Sequence, residues 1–163
     1  MSELSLAMEW YRYNARVRDL YLKAILKLEK KERLRDRGAS FPSVQDVFVH
    51  ILDAYRWWFK CVADNDTASY ERLRLENLTP NEIKKAVKDT NSLVFGYLRG
   101  LKERDLGRTI TASYEDNGKK GVIKIKVRDM IWHMVEEELQ HRGELNALLW
   151  QMDVDPPVTG WDG

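Results

Sequence analysis

From residue 3 to 29, Leu6, Trp10, Tyr13, Val17, Leu20, Ala24 and Leu28 recur at steps of three and four, which places them on one face of an α-helix. The polar run KLEKKERLRDRGAS interrupts this rhythm. It resumes after FPSVQD, where Ser43 is placed to cap a helix and Asp46, three residues on, to complete a capping box. A second helix is expected over about 43–62. A polar connection from Ala63 to Leu78 leads to TPNE, in which Thr79 can cap, Pro80 suits the first helical position and Glu82 closes another box. The third helix is expected over about 80–102.

The period then changes. In RTITASYEDNGKKGVIKIKV, β-branched and polar residues alternate on both sides of the turn-forming cluster DNGKKG, the signature of a small β-hairpin. Helical spacing returns from about Arg128 to Met152, and Pro156-Pro157 stops it. Four amphipathic helices predict an all-α four-helix bundle with a small hairpin between helices three and four. At 163 residues one domain over 1–163 is expected, without a repeat or a low-complexity tract.

Polar residues break the fourth helix's apolar seam. Met130, Met134, Glu137, His141, Leu145, Leu148 and Met152 keep the three-four spacing, so Glu137 and His141 stand where Leu is expected. A buried, unpaired carboxylate costs several kcal/mol, and a cation between the two would relieve it. Residues i and i+4 have Cβ atoms roughly 6 Å apart, close enough to share one ion. On the second helix His50 falls among Val47, Ala54, Trp57 and Cys61, with Asp46, Asp53, Arg56 and Lys60 read as the other side. His50, Glu137 and His141 then form a two-histidine, one-carboxylate set with coordination positions left open.

Other polar residues near the seam read differently. Glu136 is a solvated residue. Glu138 with His141 makes Glu-x-x-His, the local spacing of di-iron bundles, but positions 47 and 130, three before the other histidines, are Val and Met, so that reading fails. His133, one turn before Glu137, is open between an outer partner of the ligands, a pocket base and a surface residue. Tyr13, Asn14 and Trp57 lie on or beside seams that could face the ion. Arg142 cannot ligate, but it can hold an acidic neighbour or an anionic group, and Gly143 inside the helix implies close approach of a neighbour.

Composition narrows the classes. Lys and Arg number 27 against 26 Asp and Glu, with no basic stripe, which argues against nucleic acid. No 18 apolar residues run together and the N-terminus lacks a leader's pattern, so the expectation is a cytoplasmic chain without a membrane span. A single cysteine, Cys61, rules out an internal disulfide framework. Six Trp and seven Tyr exceed what a small core needs, which leaves some available to line a pocket, although core packing is the commoner fate of each.

The blocks YRYNARVRDL, SVQDVFVHILDAYRWWF and VRDMIWHMVEEELQHRGELNALLWQMDVDPP, with the hairpin between the last two, resemble the DinB-like family, which is similar to the mycothiol-dependent maleylpyruvate isomerases. The resemblance implies a four-helix bundle, often a homodimer, with a divalent metal on His50, Glu137 and His141. Many DinB-like members carry histidine where this chain has Glu137; the mycothiol-dependent branch carries glutamate. The ion implied is zinc or nickel, with manganese or iron also compatible with the carboxylate. Some relatives use low-molecular-weight thiols such as mycothiol or bacillithiol, which implies thiol transfer to a small electrophile or isomerisation. Metal binding without turnover and metal-dependent hydrolysis are the alternatives. Tyr11, Tyr21, Tyr97 and Leu101 are expected to contribute an apolar pairing patch.

Overall fold

Each predicted helix forms, with the predicted caps. The computed structural model describes residues 1–70, 78–116 and 118–160. Helix α1 spans Glu3–Lys27, the single turn α2 spans Lys30–Arg33, and α3 spans Val44–Arg56 before widening into a π-turn over Trp57–Val62. Helix α4 is Pro80–Gly100, strands β1 and β2 are Thr109–Asp116 and Lys119–Lys126, and α5 is Val127–Trp150. Of the predicted connection 63–78, residues 71–77 lie outside the described residues, as does position 117 of the hairpin's turn cluster.

Local chemistry sets the starts. Ser43 Oγ accepts from the Asp46 N–H at 3.2 Å while the Asp46 carboxylate accepts from the Ser43 N–H at 3.1 Å. Thr79 and Glu82 exchange the equivalent pair at α4, with Pro80 in its first turn. Each box satisfies N–H groups that a helix start leaves without partners. The strands pair antiparallel from Thr109 opposite Lys126 to Asp116 opposite Lys119, and Ile110 and Ala112 are buried toward the bundle. Val127 N–H donates to the Arg108 carbonyl at 2.9 Å, tying α5's start to the hairpin's root.

Helix α3 packs against α5 and α4, and α1 packs against the same two from the opposite corner. The core between them takes Val47, Phe48, Ile51 and Tyr55 from α3, Val87, Val94 and Leu98 from α4, and Met130, Met134, Leu145 and Leu149 from α5. No helix among the described residues is long and apolar enough to cross a membrane.

The inward face of α1 differs from the one predicted. Ala7, Tyr11, Asn14, Val17, Arg18, Tyr21 and Ile25 are buried, whereas Leu6 is 40% exposed. Only Val17 belongs to both sets. Two polar residues, Asn14 and Arg18, occupy core positions, so counting apolar residues rotates the face by about one residue. Tyr11 and Tyr21 consequently supply no pairing surface. Their hydroxyls donate inside the bundle, to the Ile131 carbonyl at 2.7 Å and to Asn146 Oδ1 at 2.5 Å. Tyr97 and Leu101 are half-buried against the core.

A similar rotation corrects α5. Glu138 and Arg142 occupy the fully inward line, and Glu137 and His141 flank it, 23% and 13% exposed. Glu136 is exposed, as expected.

Gly143 corrects the close-approach expectation. A Cβ built there meets no atom within 4 Å. Gly143→Ala should therefore raise stability by about 0.5–1 kcal/mol, the helix-propensity difference alone. A denaturant midpoint unchanged or lowered in the variant would contradict the open surroundings.

Candidate metal centre

Helices α3 and α5 bring His50, Glu137 and His141 together, with one ligand-competent atom of each within 4.8 Å of the others. His50 Nε2 stands 3.4 Å and His141 Nε2 3.2 Å from the same oxygen, Glu137 Oε1. Four-coordinate ligands at about 2.1 Å from an ion are separated by roughly 3.4 Å, so both separations suit a shared cation. The imidazole centroids are 4.8 Å apart at 78°, crossing instead of stacking.

The donor set suits an ion. His141 lies between two carboxylates, with Nδ1 2.9 Å from Glu144 Oε2 and Nε2 facing Glu137. In the neutral imidazole, which has one N–H, one of these contacts sets a lone pair against a carboxylate oxygen, whereas in the imidazolium both nitrogens donate. With the proton on Nδ1 toward Glu144, Nε2 is free to ligate, and a cation at the converging atoms resolves the clash.

Glu144 is itself fixed. Its Oε1 accepts from the Ser40 N–H at 2.5 Å and its Oε2 from the Ser40 hydroxyl at 2.7 Å. Burial pushes the Glu144 carboxyl up, but the hydrogen bonds from Ser40 and His141 outweigh it and hold the carboxyl below its ordinary value. Beside it Phe41 stacks on the His50 ring at 4.0 Å and 25°. Burial lowers the His50 pKa, the neighbouring His141 adds to this, and the Glu137 carboxylate opposes both. His50 is accordingly held in the neutral form that ligates.

A cavity of about 310 Å³ opens from His50 and Glu137, walled by Trp57, Trp58, Tyr70 and Tyr114 and by Asp53, Glu115 and Asp116. Trp57 is placed where the sequence put it. Asp53 lies on the cavity side of α3, because three residues along a helix return nearly to His50's face; its carboxylate accepts from the Tyr70 hydroxyl.

The remaining predicted residues lie elsewhere. The His133 ring packs edge-on against Trp58 at 4.9 Å, behind the cavity wall. Arg142 Nη2 donates to Asn14 Oδ1 at 2.6 Å, and its guanidinium lies 5.2 Å from the Tyr13 ring. These three meet on the α1–α5 contact, about 100° round the helix from His141. Tyr13 also donates to the Thr159 carbonyl at 2.6 Å. Glu138, the least certain of the glutamates in sequence, is fully buried in an ion pair with Arg18 and accepts from the Tyr55 hydroxyl at 2.5 Å.

Sequence reasoning passed over Glu144, Ser40, Phe41 and Tyr114. A signal existed for one of them: Glu144 is three residues beyond His141, hence on its side of α5.

A candidate three-residue metal site in a four-helix bundle with an appended hairpin defines the class of protein. The model of the DinB family matches residues 1–161, and the chain belongs to that family. A DinB-like protein of Bacillus subtilis superposes with a TM-score of 0.66 at 16% identity, covering 92% of this chain and 96% of the other. One from Bacillus cereus gives 0.68 at 13% identity, with 94% and 95% covered. At those identities the likeness is one of fold. No curated protein matches the sequence.

Proposed function

We propose that this chain is a metal-dependent enzyme that holds one divalent ion, zinc or nickel, on His50, Glu137 and His141 and acts on a small molecule in the adjoining cavity. The supporting observation is the convergence of both Nε2 atoms on Glu137 Oε1 at the edge of that cavity. Three protein ligands leave at least one position of a four-coordinate ion for an exogenous group, the arrangement of catalytic sites as opposed to structural ones. When bound there, the ion would lower the pKa of a thiol or water and so supply a nucleophile at neutral pH. The residues orient and shield: Glu144 holds the His141 tautomer, Phe41 backs His50, and the aromatic walls exclude water.

The kinship to thiol-using families favours thiol transfer or isomerisation, with a small electrophile as partner. The lining bears on which thiol. Among the described residues it includes no Lys or Arg, while Glu115 and Glu137 are acidic. A thiol without carboxylates, such as mycothiol, suits such a lining better than the carboxylate-bearing bacillithiol.

Elemental analysis of untagged protein should give one divalent ion per chain. Adding mycothiol to that protein should raise its melting temperature, because a ligand at about 100 times its Kd stabilises by roughly 2.7 kcal/mol. Bacillithiol should raise it less. Stoichiometric metal with no response to either thiol would move the assignment to hydrolysis or to metal binding without turnover. Protein free of metal after growth in zinc and nickel would end the metal reading.

A further inference from the structure

We infer that the cavity beside the metal ligands receives the cationic end of its ligand, a small quaternary ammonium or protonated amine seated against Trp57 and Tyr114. The inference rests on the proposed metal site only for which end of the ligand reacts. The cavity's character is independent of it.

Four aromatic rings, of Trp57, Trp58, Tyr70 and Tyr114, line the cavity. The Tyr114 ring stands at 89° to Trp57 with centroids 6.4 Å apart, and the Tyr70 ring at 73° with centroids 5.0 Å apart. Both pairs are in edge-to-face contact, which fixes the rings relative to one another, and the cavity they line lies beside these contacts. Aromatic faces carry the negative lobe of the ring quadrupole, and several around one space form the arrangement that binds quaternary ammonium groups. Glu115, next to Tyr114 on β1, adds a carboxylate to the same lining. An anion would face both the ring electrons and this carboxylate, and an uncharged apolar group would desolvate the carboxylate without compensation. At about 310 Å³ the space is near the lower end of ligand pockets, which fits a compact head group.

Two backbone features hold these walls in place. Tyr114 is paired across the hairpin with Gly121, and its ring lies over that glycine so closely that a Cβ there would overlap the ring. Gly121 is thus the residue that allows Tyr114 to lie flat at the cavity's edge. On the other side, the helical path widens into the π-turn at Trp57–Val62, and the consecutive residues Trp57 and Trp58 both line the cavity. Single π-turns inside helices are frequent at functional sites.

The test uses the full chain loaded with zinc and three probes of one shape: choline, its uncharged isostere with tert-butyl in place of trimethylammonium, and a tert-butyl carboxylate of similar length. Titration followed by tryptophan fluorescence should show saturable choline binding, about fivefold to tenfold tighter than the isostere, with the carboxylate weakest. Gly121→Ala should weaken choline about fivefold by displacing Tyr114, and Trp57→Ala should weaken it further, both retaining zinc. Equal affinities for choline and its isostere, tighter binding of the carboxylate, absence of saturation by choline, or indifference of choline binding to Gly121→Ala would each overturn the inference. Zinc content of the same samples separates the two ideas. Zinc retained without a choline preference removes only the cationic site, and a choline preference in protein that holds no zinc removes only the metal reading.

Discussion

The double variant His50→Ala, His141→Ala should retain no stoichiometric metal, and either single variant should lose it on dialysis. Each removes one of three candidate ligands whose ligand-competent atoms lie within 4.8 Å of each other. Glu137→Gln keeps the shape but removes the charge facing both imidazoles, and should bind more weakly. Glu144→Ala should lower affinity about 10–100-fold, the range seen when a ligand loses the partner that orients it. Glu136→Gln, altering an exposed residue, should change nothing. Elemental analysis and competition with a chromophoric chelator measure the series, and a full complement of ion in the double variant would remove the site. Proton competition adds a pH dependence. Binding requires neutral imidazole, and because the pKa of His50 is lowered from 6.5, competition at this ligand begins below that pH. The same shift bears on the metal-free protein: the unfolded chain takes up the proton first, so the stability contributed by neutral His50 is complete above 6.5 and is lost as pH falls through the folded value.

Breaking the buried ion pair should have the largest effect on stability. Glu138 and Arg18 are 0% and 2% exposed, and Arg18 also donates to Asn91 Oδ1 at 2.8 Å, while its guanidinium lies 4.6 Å from the Tyr55 ring. Arg18→Met would strand the Glu138 carboxylate in the core, and Glu138→Leu would strand the guanidinium. Either should cost about 3–5 kcal/mol, which at this chain length lowers Tm by roughly 10 °C or more. Replacing both with the same apolar pair should recover most of the loss, because the desolvation of two charges is then avoided. Urea unfolding of the four proteins in the cycle gives the coupling. Single variants within about 1 kcal/mol of the parent would show that the pair is solvated. The Glu138 Oε1 and Arg18 Nε atoms have no hydrogen-bond partner, so the pair does not use all of its bonding capacity.

These contacts also explain what could be read in advance. Helix existence was legible because the capping boxes at Ser43 and Thr79 are local, and the hairpin because its alternation and turn cluster are local. The three candidate ligands stood out because polar residues interrupt apolar spacing on only two helices. The inward face of α1 was not legible, because Arg18 becomes a core residue through distant partners, Glu138 at 120 positions and Asn91 at 73. The pattern on α5 misled for the same reason: its fully buried polar residues, Glu138 and Arg142, look more solvated in sequence than the partly exposed Glu137 and His141. The wall made by Tyr114 depends on strand register, which places it opposite Gly121.

That wall is mounted on a different part of the chain from the ligands. His50, Glu137 and His141 sit on α3 and α5, half-buried beside the cavity, whereas Tyr114 and Glu115 ride on a two-stranded arm secured at its root by the Val127 N–H to Arg108 carbonyl bond. The candidate ligands and one wall of the cavity are thereby carried on separate elements. Under the proposed function, exchanging the arm would alter one wall of the cavity and leave the atoms of His50, Glu137 and His141 untouched, with Trp57 and Trp58 still supplied from the α3 side.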